Sequence, residues 1–446
     1  MSNVIDAFST ELAQGFGALF VGTGISKPSG TPDWESLLEH VARAQLGIKL
    51  ESSDDLVQIA QYIVNRNGGN RGPLVQHMKR NLAGPFSPNA YHRALVLTNV
   101  FTIWTTNYDT LLEQAFREHF AVDVKANDDA ISRSVPNYQI EIIKMHGSID
   151  SSPHIDLVIS SEDYEDFRHR RPATTQRLQS DLLNKSFLFL GYSYRDPNIR
   201  NVVVEARRLA GRATRPHYLL TKKPSGAREQ KMQELWRSDL LRFGIECTII
   251  ESYEELQSAL DQIARKSRGP TVYATGSHVD ASDLARDLGS RLATETTVIA
   301  IDGQSSGVSH EFVSGFTEKA ATSKIDISKR LRIFPNPYAS NPAFSSDPTL
   351  LPVLKQWRAP LMRGTQAILV FDGGMGTVAE VDLARQCGCT VIPIPGPTEG
   401  FARKLLMEDS AVSKALPTEY LDSCRHSVAS ADAVISCVKK VMGLPT

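Results

Sequence analysis

Four short segments in the first half of the chain combine glycine with side chains that can act in nucleotide chemistry, and each follows an apolar run of β type. They are GTGIS at residues 22–26, TTNYD at 105–109, KMHGSID at 144–150 and LGYSYRDPN at 190–198. Open parallel α/β sheets bind their ligands at the carboxyl ends of the strands. The pattern therefore predicts one nucleotide pocket built from several strand ends.

The first segment is suited to holding a phosphate. Gly22 and Gly24 let the backbone turn tightly, and Ser26 with the amides after it could donate hydrogen bonds to phosphate oxygens. A G-x-G-x-x-G motif would have a third glycine where Lys27 stands. Taken alone, the segment fits a plain strand-to-helix turn equally well.

The other segments place polar side chains at strand ends. An asparagine such as Asn107 can orient a hydroxyl or a water without adding charge, and a histidine such as His146 can take a proton near neutral pH. The alternative is structural: Asn107 and Asp109 could cap the helix that begins at YDTLLEQAF, and His146 could be a structural residue at a strand end.

A second glycine-rich segment, FDGGMGTVAE at residues 371–380, follows the apolar run AILV and opens a helical pattern. Its three glycines and the Thr377 hydroxyl suit a phosphate at a helix N-terminus. TGSHVD at 275–280 and RAPLM at 358–362 lie in the same half. The chain is thus expected to carry two nucleotide pockets.

Apolar β-type runs alternate with amphipathic helical patterns along both halves, which favours parallel sheets covered by helices on both faces. We predict an α/β protein with two Rossmann-like parallel-sheet domains, at residues 1–268 and 269–446, divided near the charged and glycine-containing ARKSRGP segment. Residues 35–95 look like a helical module inserted after the first strand–helix unit.

Composition narrows the class of protein. The formal net charge of −1 gives no reason to expect a nucleic-acid partner. The N-terminus has no basic segment followed by an apolar one, and no apolar run approaches the length of a membrane span, so we expect a cytoplasmic protein with no membrane partner. None of the five cysteines forms a C-x-x-C pair. No zinc ribbon and no bound metal are therefore expected.

The order G-x-G-I-S-x-x-S-G-x-P, N-x-D, H-G and G-x-S over residues 1–260 resembles the sirtuin family. The resemblance implies NAD+ as the substrate, Asn107 orienting or activating the attacking group, His146 as base, and Asp109 supporting nicotinamide or its loop. The residues implied to hold the dinucleotide are Gly22, Thr23, Gly24, Ser26, Asp33, Asp109, Gly191, Ser193 and Asp196. Deacylating sirtuins shape their acyl-lysine cleft with a four-cysteine zinc ribbon, which this half lacks. Water is then the natural nucleophile, and the products would be nicotinamide and ADP-ribose, with some cyclised product possible.

The G-G-x-G-T-x-x-E segment and its companions over residues 270–446 resemble the SLOG superfamily, which includes nucleoside-monophosphate hydrolases and nucleotide-binding domains. The residues implied to bind a signal nucleotide are Gly276, Ser277, Arg358, Gly373, Gly374, Gly376, Thr377 and Glu380. The hydrolases carry a proline and a glutamate where this chain has Asp372 and Ala379. This departure favours binding over catalysis in the second pocket.

A zinc-free sirtuin-like domain followed by a SLOG domain resembles the effectors of Thoeris antiphage systems. The resemblance implies that a TIR-domain protein makes a cyclic ADP-ribose isomer, that the SLOG domain binds it, and that the sirtuin-like domain then destroys cellular NAD+. It also implies a homo-tetramer able to form filaments. The alternatives are an NAD-dependent protein deacylase, a bifunctional enzyme whose second domain hydrolyses nucleoside monophosphates, and a non-catalytic NAD-binding scaffold.

Overall fold

The computed structural model describes two compact units, Met1–Ile263 and Ala264–Thr446, and each unit contains one sheet. The boundary expected near residue 268 lies two residues after helix Tyr253–Lys266, whereas the units divide within that helix. The described residues are 2–51, 54–133, 135–136, 139–150, 157–192, 215–242, 244–277, 281–303, 307–334, 336, 349, 358–397, 399–425 and 427–445.

The N-terminal unit is built on a seven-stranded parallel sheet with the order β3-β4-β2-β1-β5-β6-β7. Its central strands are fully buried and mostly apolar, which is the pattern of a sheet covered on both faces. The strands are β1 Gly17–Val21, β2 Thr102–Thr105, β3 Val122–Lys125, β4 Ile140–Lys144, β5 Ser186–Leu190, β6 His217–Lys222 and β7 Ile245–Ile250.

The helices of this unit cover the sheet and connect its strands. Helix α1 places Val4, Ile5, Phe8 and Leu12 on one buried face, as their helical spacing predicts. The helices are α1 Ser2–Ala13, α2 Thr23–Ser26, α3 Trp34–Leu46, α4 Leu56–Arg66, α5 Gly72–Leu82, α6 Ala90–Val96, α7 Leu111–Arg117, α8 Asp128–Ser132, α9 Ser161–Glu165, α10 Phe167–Arg170, α11 Pro172–Asn184, α12 Ala227–Leu241 and α13 Tyr253–Lys266.

Four helices, α3 to α6, lie between β1 and β2, in the part of the chain where the sequence indicates a helical insertion. Helices α3, α4 and α5 form their own apolar cluster, which also contains Tyr108, Ile149, Leu157 and Ile159. Helix α6 instead joins the core under the sheet through residues such as Leu95. The three-helix cluster therefore packs on the segments that follow β2 and β4.

The C-terminal unit has a five-stranded parallel sheet with the order β10-β9-β8-β11-β12 and one large apolar core. Its strands are β8 Thr271–Thr275, β9 Ile299–Asp302, β10 Leu331–Ile333, β11 Ala367–Val370 and β12 Thr390–Pro393. Its helices are α14 Ser282–Ala293, α15 Val308–Thr322, α16 Met375–Gln386, α17 Phe401–Glu408, α18 Ser410–Ala415, α19 Thr418–Cys424 and α20 Ala431–Met442. Within the described ranges, no helix combines the length and apolar character needed to span a bilayer.

Candidate active site and nucleotide-binding sites

Four neighbouring strands of the N-terminal sheet, β4, β2, β1 and β5, end level with one another. Thr105 pairs with Lys144 on one side and with Val21 on the other, and Val21 in turn pairs with Leu190. The segments with His146, Asn107, the GTG turn and Gly191 leave these four strands in that spatial order. The sheet thus brings the strand-end motifs of the first half to one edge. The strand order switches direction between β1 and β5, because β1 connects to β2 on one side whereas β5 connects to β6 on the other.

The glycines of this edge allow two backbones to approach closely. Gly191 has φ +76°, and a Cβ on it would lie 2.7 Å from the Gly22 carbonyl oxygen. A Cβ on Gly24 would lie 2.8 Å from the Gly191 carbonyl oxygen, which accepts the Gly24 N–H at 3.1 Å. The three glycines are therefore required by packing between the ends of β1 and β5, whatever else they bind.

Asn107 is held at the centre of this edge and is 1% exposed. Its backbone N–H donates to Thr105 Oγ1 at 3.0 Å, and its side-chain Nδ2 donates to Ser26 Oγ at 3.1 Å. Its side-chain Oδ1 is buried and has no hydrogen-bond partner among the described residues. A buried acceptor without a partner is costly, and it suits a group that a ligand satisfies.

His146 lies among aromatic rings after β4 and is 3% exposed. Tyr164 and Phe167 meet its ring edge-on, with centroids at 5.3 and 6.4 Å, and Tyr108 lies at 6.4 Å. Burial, together with the nearby Arg171 guanidinium, lowers the pKa of His146 to about 3. The imidazole is therefore neutral at pH 7 and can accept a hydrogen bond.

The remaining predicted residues of the first pocket have several placements. Thr23 is exposed and opens α2. Asp33 caps α3 by accepting the Ser36 N–H and pairs with Lys27 at 2.8 Å. Burial raises the pKa of Asp33, but the hydrogen bonds from Lys27 and Ser36 outweigh it and lower this pKa to about 2. The carboxylate of Asp109 accepts the N–H of Leu111 at the start of α7. Ser193 and Asp196 lie outside the described residues. For every residue predicted to hold the dinucleotide, the contact with the ligand stays a prediction.

A cleft of about 700 Å³ continues from this edge across β5, β6 and β7. Gly24 and Gly191 form one end, and the rest is lined by residues that the sequence analysis missed, among them Lys222, Lys223, Gln230, Glu251 and Tyr253. The Lys222 ammonium lies 4.2 Å from the centre of the Tyr253 ring. A signal was present, since KKPSG and ESY follow β6 and β7 as the other motifs follow their strands. The cleft has the size and the mixed lining of a small-molecule site.

The part of the chain that the structure describes holds no cluster of three or more histidine, cysteine, aspartate or glutamate side chains able to bind a metal. Cys247, Cys387, Cys389, Cys424 and Cys437 are all buried free thiols.

The C-terminal unit brings Arg358 and Glu380 into one buried network. The Arg358 guanidinium donates to the Gly303 carbonyl at 2.7 Å, to the Tyr273 hydroxyl at 2.8 Å and to the Glu380 carboxylate. Tyr273 and Thr275 also donate to that carboxylate. Burial alone would lower the pKa of Arg358, but Tyr273 and Glu380 raise it. Sequence motifs identified Arg358 and Glu380, whereas Tyr273 was missed because it lies inside β8.

The predicted glycine turn lies beside this network at the end of β11. Ser277 N–H donates to the Asp372 carbonyl at 3.1 Å, and a Cβ on Gly276 would lie 2.7 Å from Phe371 Cβ. In contrast, a Cβ on Gly374 or Gly376 would meet nothing within 4 Å. Gly374 is the N-cap of α16 and has no side chain to cap it, so N–H groups at this helix start are open to an anion.

The second turn is also held by side chains. A Cβ on Gly373 would clash with Thr377 Oγ1 at 2.2 Å, and Thr377 is buried. The Asp372 carboxylate accepts the Ala402 N–H at 2.8 Å. Asp372 therefore caps α17 and joins the two loops at this edge.

The fold and the strand-end motifs define a class, the proteins with a SIR2-like domain: the family model described as SIR2-like domain matches residues 102–243. The more specific likeness is to ThsA, and the chain is ThsA-like along nearly its whole length. It is 28% identical to NAD(+) hydrolase ThsA of Enterococcus faecium over 98% of both chains. It is 32% identical to NAD(+) hydrolase ThsA of Bacillus cereus over 62% of this chain and 60% of that one. A third relative, Defense-associated sirtuin 2 of Bacillus subtilis, is 24% identical over 43% of this chain and 19% of its own. These relatives confirm the resemblance to Thoeris effectors and the sirtuin-like fold of the N-terminal unit.

Proposed function

We propose that the chain hydrolyses NAD+ to nicotinamide and ADP-ribose at the carboxyl edge of the N-terminal sheet. The observation that carries the proposal is Asn107, a buried amide beside the GTG turn whose Oδ1 has no partner among the described residues. The curated relatives named NAD(+) hydrolase ThsA support the same activity in this chain.

The reaction breaks the bond between the cationic nicotinamide nitrogen and C1′ of its ribose. Nicotinamide leaves with the bonding electron pair, and a water oxygen bonds to C1′ and loses one proton. NAD+ and water thus give nicotinamide, ADP-ribose and one proton. Because the leaving group departs as a neutral molecule, the protein needs to orient the bond and direct the water rather than supply strong acid.

Asn107 directs the attacking group in this proposal. Its Nδ2 is engaged by Ser26, so the amide plane is fixed and Oδ1 is the atom left to accept a hydrogen bond. The imidazole of His146, the proposed base, is neutral and accepts a hydrogen bond from the water or from a ribose hydroxyl.

The cleft over β5, β6 and β7 would hold the remainder of the dinucleotide. Its open end carries ammonium groups at Lys222 and Lys223, which suit pyrophosphate, and the Tyr253 ring suits adenine. Gly24 and Gly191 lie where the cleft meets the proposed reaction centre.

Product analysis tests the activity. Purified full-length chain is incubated with NAD+ in ¹⁸O-labelled water, with and without a panel of cyclic ADP-ribose isomers, and nicotinamide and ADP-ribose are measured by mass spectrometry. We expect one ¹⁸O at C1′ of ADP-ribose and a loss of kcat on the order of 10²–10³-fold in Asn107→Ala and His146→Ala. Unlabelled cyclic product would show an internal nucleophile, and undiminished NAD+ loss in both variants would refute the assignment.

The second part of the proposal is that the SLOG-like C-terminal unit binds a cyclic ADP-ribose isomer and thereby activates the hydrolase. Support comes from the uncapped start of α16 with its open glycines and from Arg358 and Glu380 at the same edge. A ligand shifts an equilibrium only through different affinities for its two states. The signal would therefore bind the active state more tightly than the resting state.

The biological role follows from these two activities. We propose a cytoplasmic antiphage effector that depletes NAD+ when a TIR-domain protein makes the cyclic nucleotide, and that works as a homo-tetramer able to form filaments. Light scattering with and without the nucleotide tests the assembly. A plaque assay that compares the wild-type chain with Asn107→Ala tests the role in defence.

Nucleoside-monophosphate hydrolysis by the second unit is disfavoured by one observation. The Glu380 carboxylate already accepts from Arg358, Tyr273 and Thr275, which leaves it poorly placed to act as an acid or base. Release of free base from AMP by the full-length chain would revive this alternative. Likewise, an acyl-peptide assay tests deacylation.

A further inference from the structure

We propose that Lys144 is a positioning residue for the hydrolase: its buried ammonium ties the loop that carries Asn107 to the strand end that carries His146. This inference rests on the proposed NAD+ hydrolysis and adds to it a residue that touches no substrate.

Lys144 is the last residue of β4 and is 1% exposed, which is unusual for a lysine. Its ammonium donates to two acceptors, the backbone carbonyl of Asp109 and the Glu113 carboxylate, the latter at 2.6 Å. Glu113 lies in α7 and is equally buried. The ammonium therefore sits between β4, the loop after β2 and the helix that follows this loop.

The positions of these contacts in the chain explain the proposed role. Asp109 lies two residues after Asn107, and Lys144 lies two residues before His146. The other end of the loop is fixed as well, because the Asn107 N–H donates to Thr105 Oγ1. The hydrogen bond from Lys144 to the Asp109 carbonyl thus fixes the loop that carries Asn107 relative to the segment that carries His146.

A gain in stability does not by itself explain the buried ion pair of Lys144 and Glu113. In many proteins the free energy needed to desolvate a lysine and a glutamate exceeds the free energy gained from their attraction. Replacing such a buried pair by apolar residues of similar volume is often neutral or stabilising. The second carboxylate oxygen of Glu113 has no hydrogen-bond partner among the described residues, so the pair is incompletely satisfied. What an apolar replacement cannot provide is the donor for the Asp109 carbonyl.

The chain contains a matched control. In β3, the buried Lys125 ammonium pairs with Asp123 at 2.8 Å and donates to the carbonyl of Arg133. This is the same set of groups, an ammonium, a carboxylate and a main-chain carbonyl, but within the described residues its ion pair and hydrogen bond reach neither loop of the proposed reaction centre. Its removal reports the cost of losing a buried ion pair from this sheet without moving Asn107 or His146.

The test compares the double variant Lys144→Met with Glu113→Met against the control double variant Lys125→Met with Asp123→Met, in the full-length chain. Three measurements are made for each: thermal unfolding for the melting temperature, titration for the stoichiometry and Kd of ADP-ribose binding, and kinetics for kcat and KM with NAD+ under the conditions in which the wild-type chain is active. A purely structural role changes the fraction of chains that bind ADP-ribose, whereas a positioning role does not.

We expect the Lys144 double variant to bind one ADP-ribose per chain with a Kd within about threefold of wild type, while its kcat falls on the order of 10–100-fold. The control variant keeps its kcat. A kcat within about threefold of wild type in the Lys144 variant overturns the positioning role and leaves the hydrolase intact. Absence of NAD+ cleavage by the wild-type chain under every condition overturns the hydrolase and this inference together.

If the double variant does not fold, Glu113→Gln decides the question. It removes the carboxylate charge but keeps Lys144 and its hydrogen bond to the Asp109 carbonyl. Lys144→Leu in the Glu113→Gln background then removes the donor itself. A kcat at least about tenfold below that of Glu113→Gln supports the positioning role, and equal kcat values in the two variants contradict it.

Discussion

The side-chain amide of Asn107 donates to the hydroxyl of Ser26 at 3.1 Å, across 81 residues of sequence. This contact joins the loop after β2 to the glycine turn after β1. It also decides which end of the amide is free, because a donor engaged by Ser26 leaves the oxygen for a ligand. The hydrogen bond between these two residues therefore orients the atom on which the proposed chemistry depends.

Removing the Ser26 hydroxyl should impair catalysis without removing the substrate site. In Ser26→Ala, the Asn107 amide loses its fixed partner and can rotate, so we expect kcat to fall about tenfold while the Kd for ADP-ribose stays within about threefold. Steady-state kinetics and calorimetric titration measure the two quantities. Ser29→Ala is the control in the same segment. Equal kcat in Ser26→Ala and wild type would show that this contact does not orient the amide.

Gly191 should tolerate no side chain. Gly191→Ala would strain a left-handed backbone and place a Cβ 2.7 Å from the Gly22 carbonyl oxygen, so we expect a loss of more than about 3 kcal/mol in the free energy of unfolding. Gly47→Ala is the matched control, because Gly47 has φ +70° but nothing within 4 Å of its Cβ position. It should cost only about 1–2 kcal/mol. If urea unfolding shows the same loss of unfolding free energy in both variants, the close approach of the two backbones is not the cause of the instability of Gly191→Ala.

The positions of the motifs were predictable because each follows a buried apolar run, and parallel strands deliver such segments to one edge. What could not be predicted is which strand ends become neighbours. Sequence order does not give the spatial order β4-β2-β1-β5, nor the pairing of Lys144 with Glu113. Strand β3 is hard to predict because VDVK alternates apolar and charged residues, and only the fold shows that Asp123 and Lys125 are buried as a pair.

Stability should fall in mild acid because three histidines are buried in the neutral form. Burial lowers the pKa of His146 to about 3 and of His92 and His217 to about 4, from 6.5. Below pH 6.5 these histidines are protonated in the unfolded chain but stay neutral in the folded chain. The unfolding free energy therefore decreases as pH falls from 6.5 towards 4.

Each such histidine contributes a slope of up to roughly 1.4 kcal/mol per pH unit. His217→Asn keeps an acceptor for the Phe187 N–H, which donates to His217 Nδ1 at 3.1 Å. Urea unfolding of both proteins at pH 7, 6 and 5 measures the slopes. We expect a shallower slope in His217→Asn, and an unchanged slope would mean that His217 is protonated in the folded chain.

The buried network of the C-terminal unit should be needed for signal binding and should require an arginine. Arg358→Ala removes the donors to Gly303, Tyr273 and Glu380, and Arg358→Lys cannot replace them because one ammonium lacks the planar guanidinium geometry. We expect both variants to weaken binding of the cyclic nucleotide at least tenfold in calorimetric titration, with ADP-ribose binding by the N-terminal unit unchanged. Arg385→Ala, in α16 but paired with Asp409, is the control. Wild-type affinity in Arg358→Lys would contradict this assignment.

The most direct test of the account is NAD+ consumption by the purified full-length chain, with and without a panel of cyclic ADP-ribose isomers. We predict slow or no consumption alone, rapid release of nicotinamide and ADP-ribose with one isomer, and none with that isomer in Asn107→Ala. NAD+ that remains intact with every isomer, or that is lost equally fast without any, would contradict a signal-activated hydrolase.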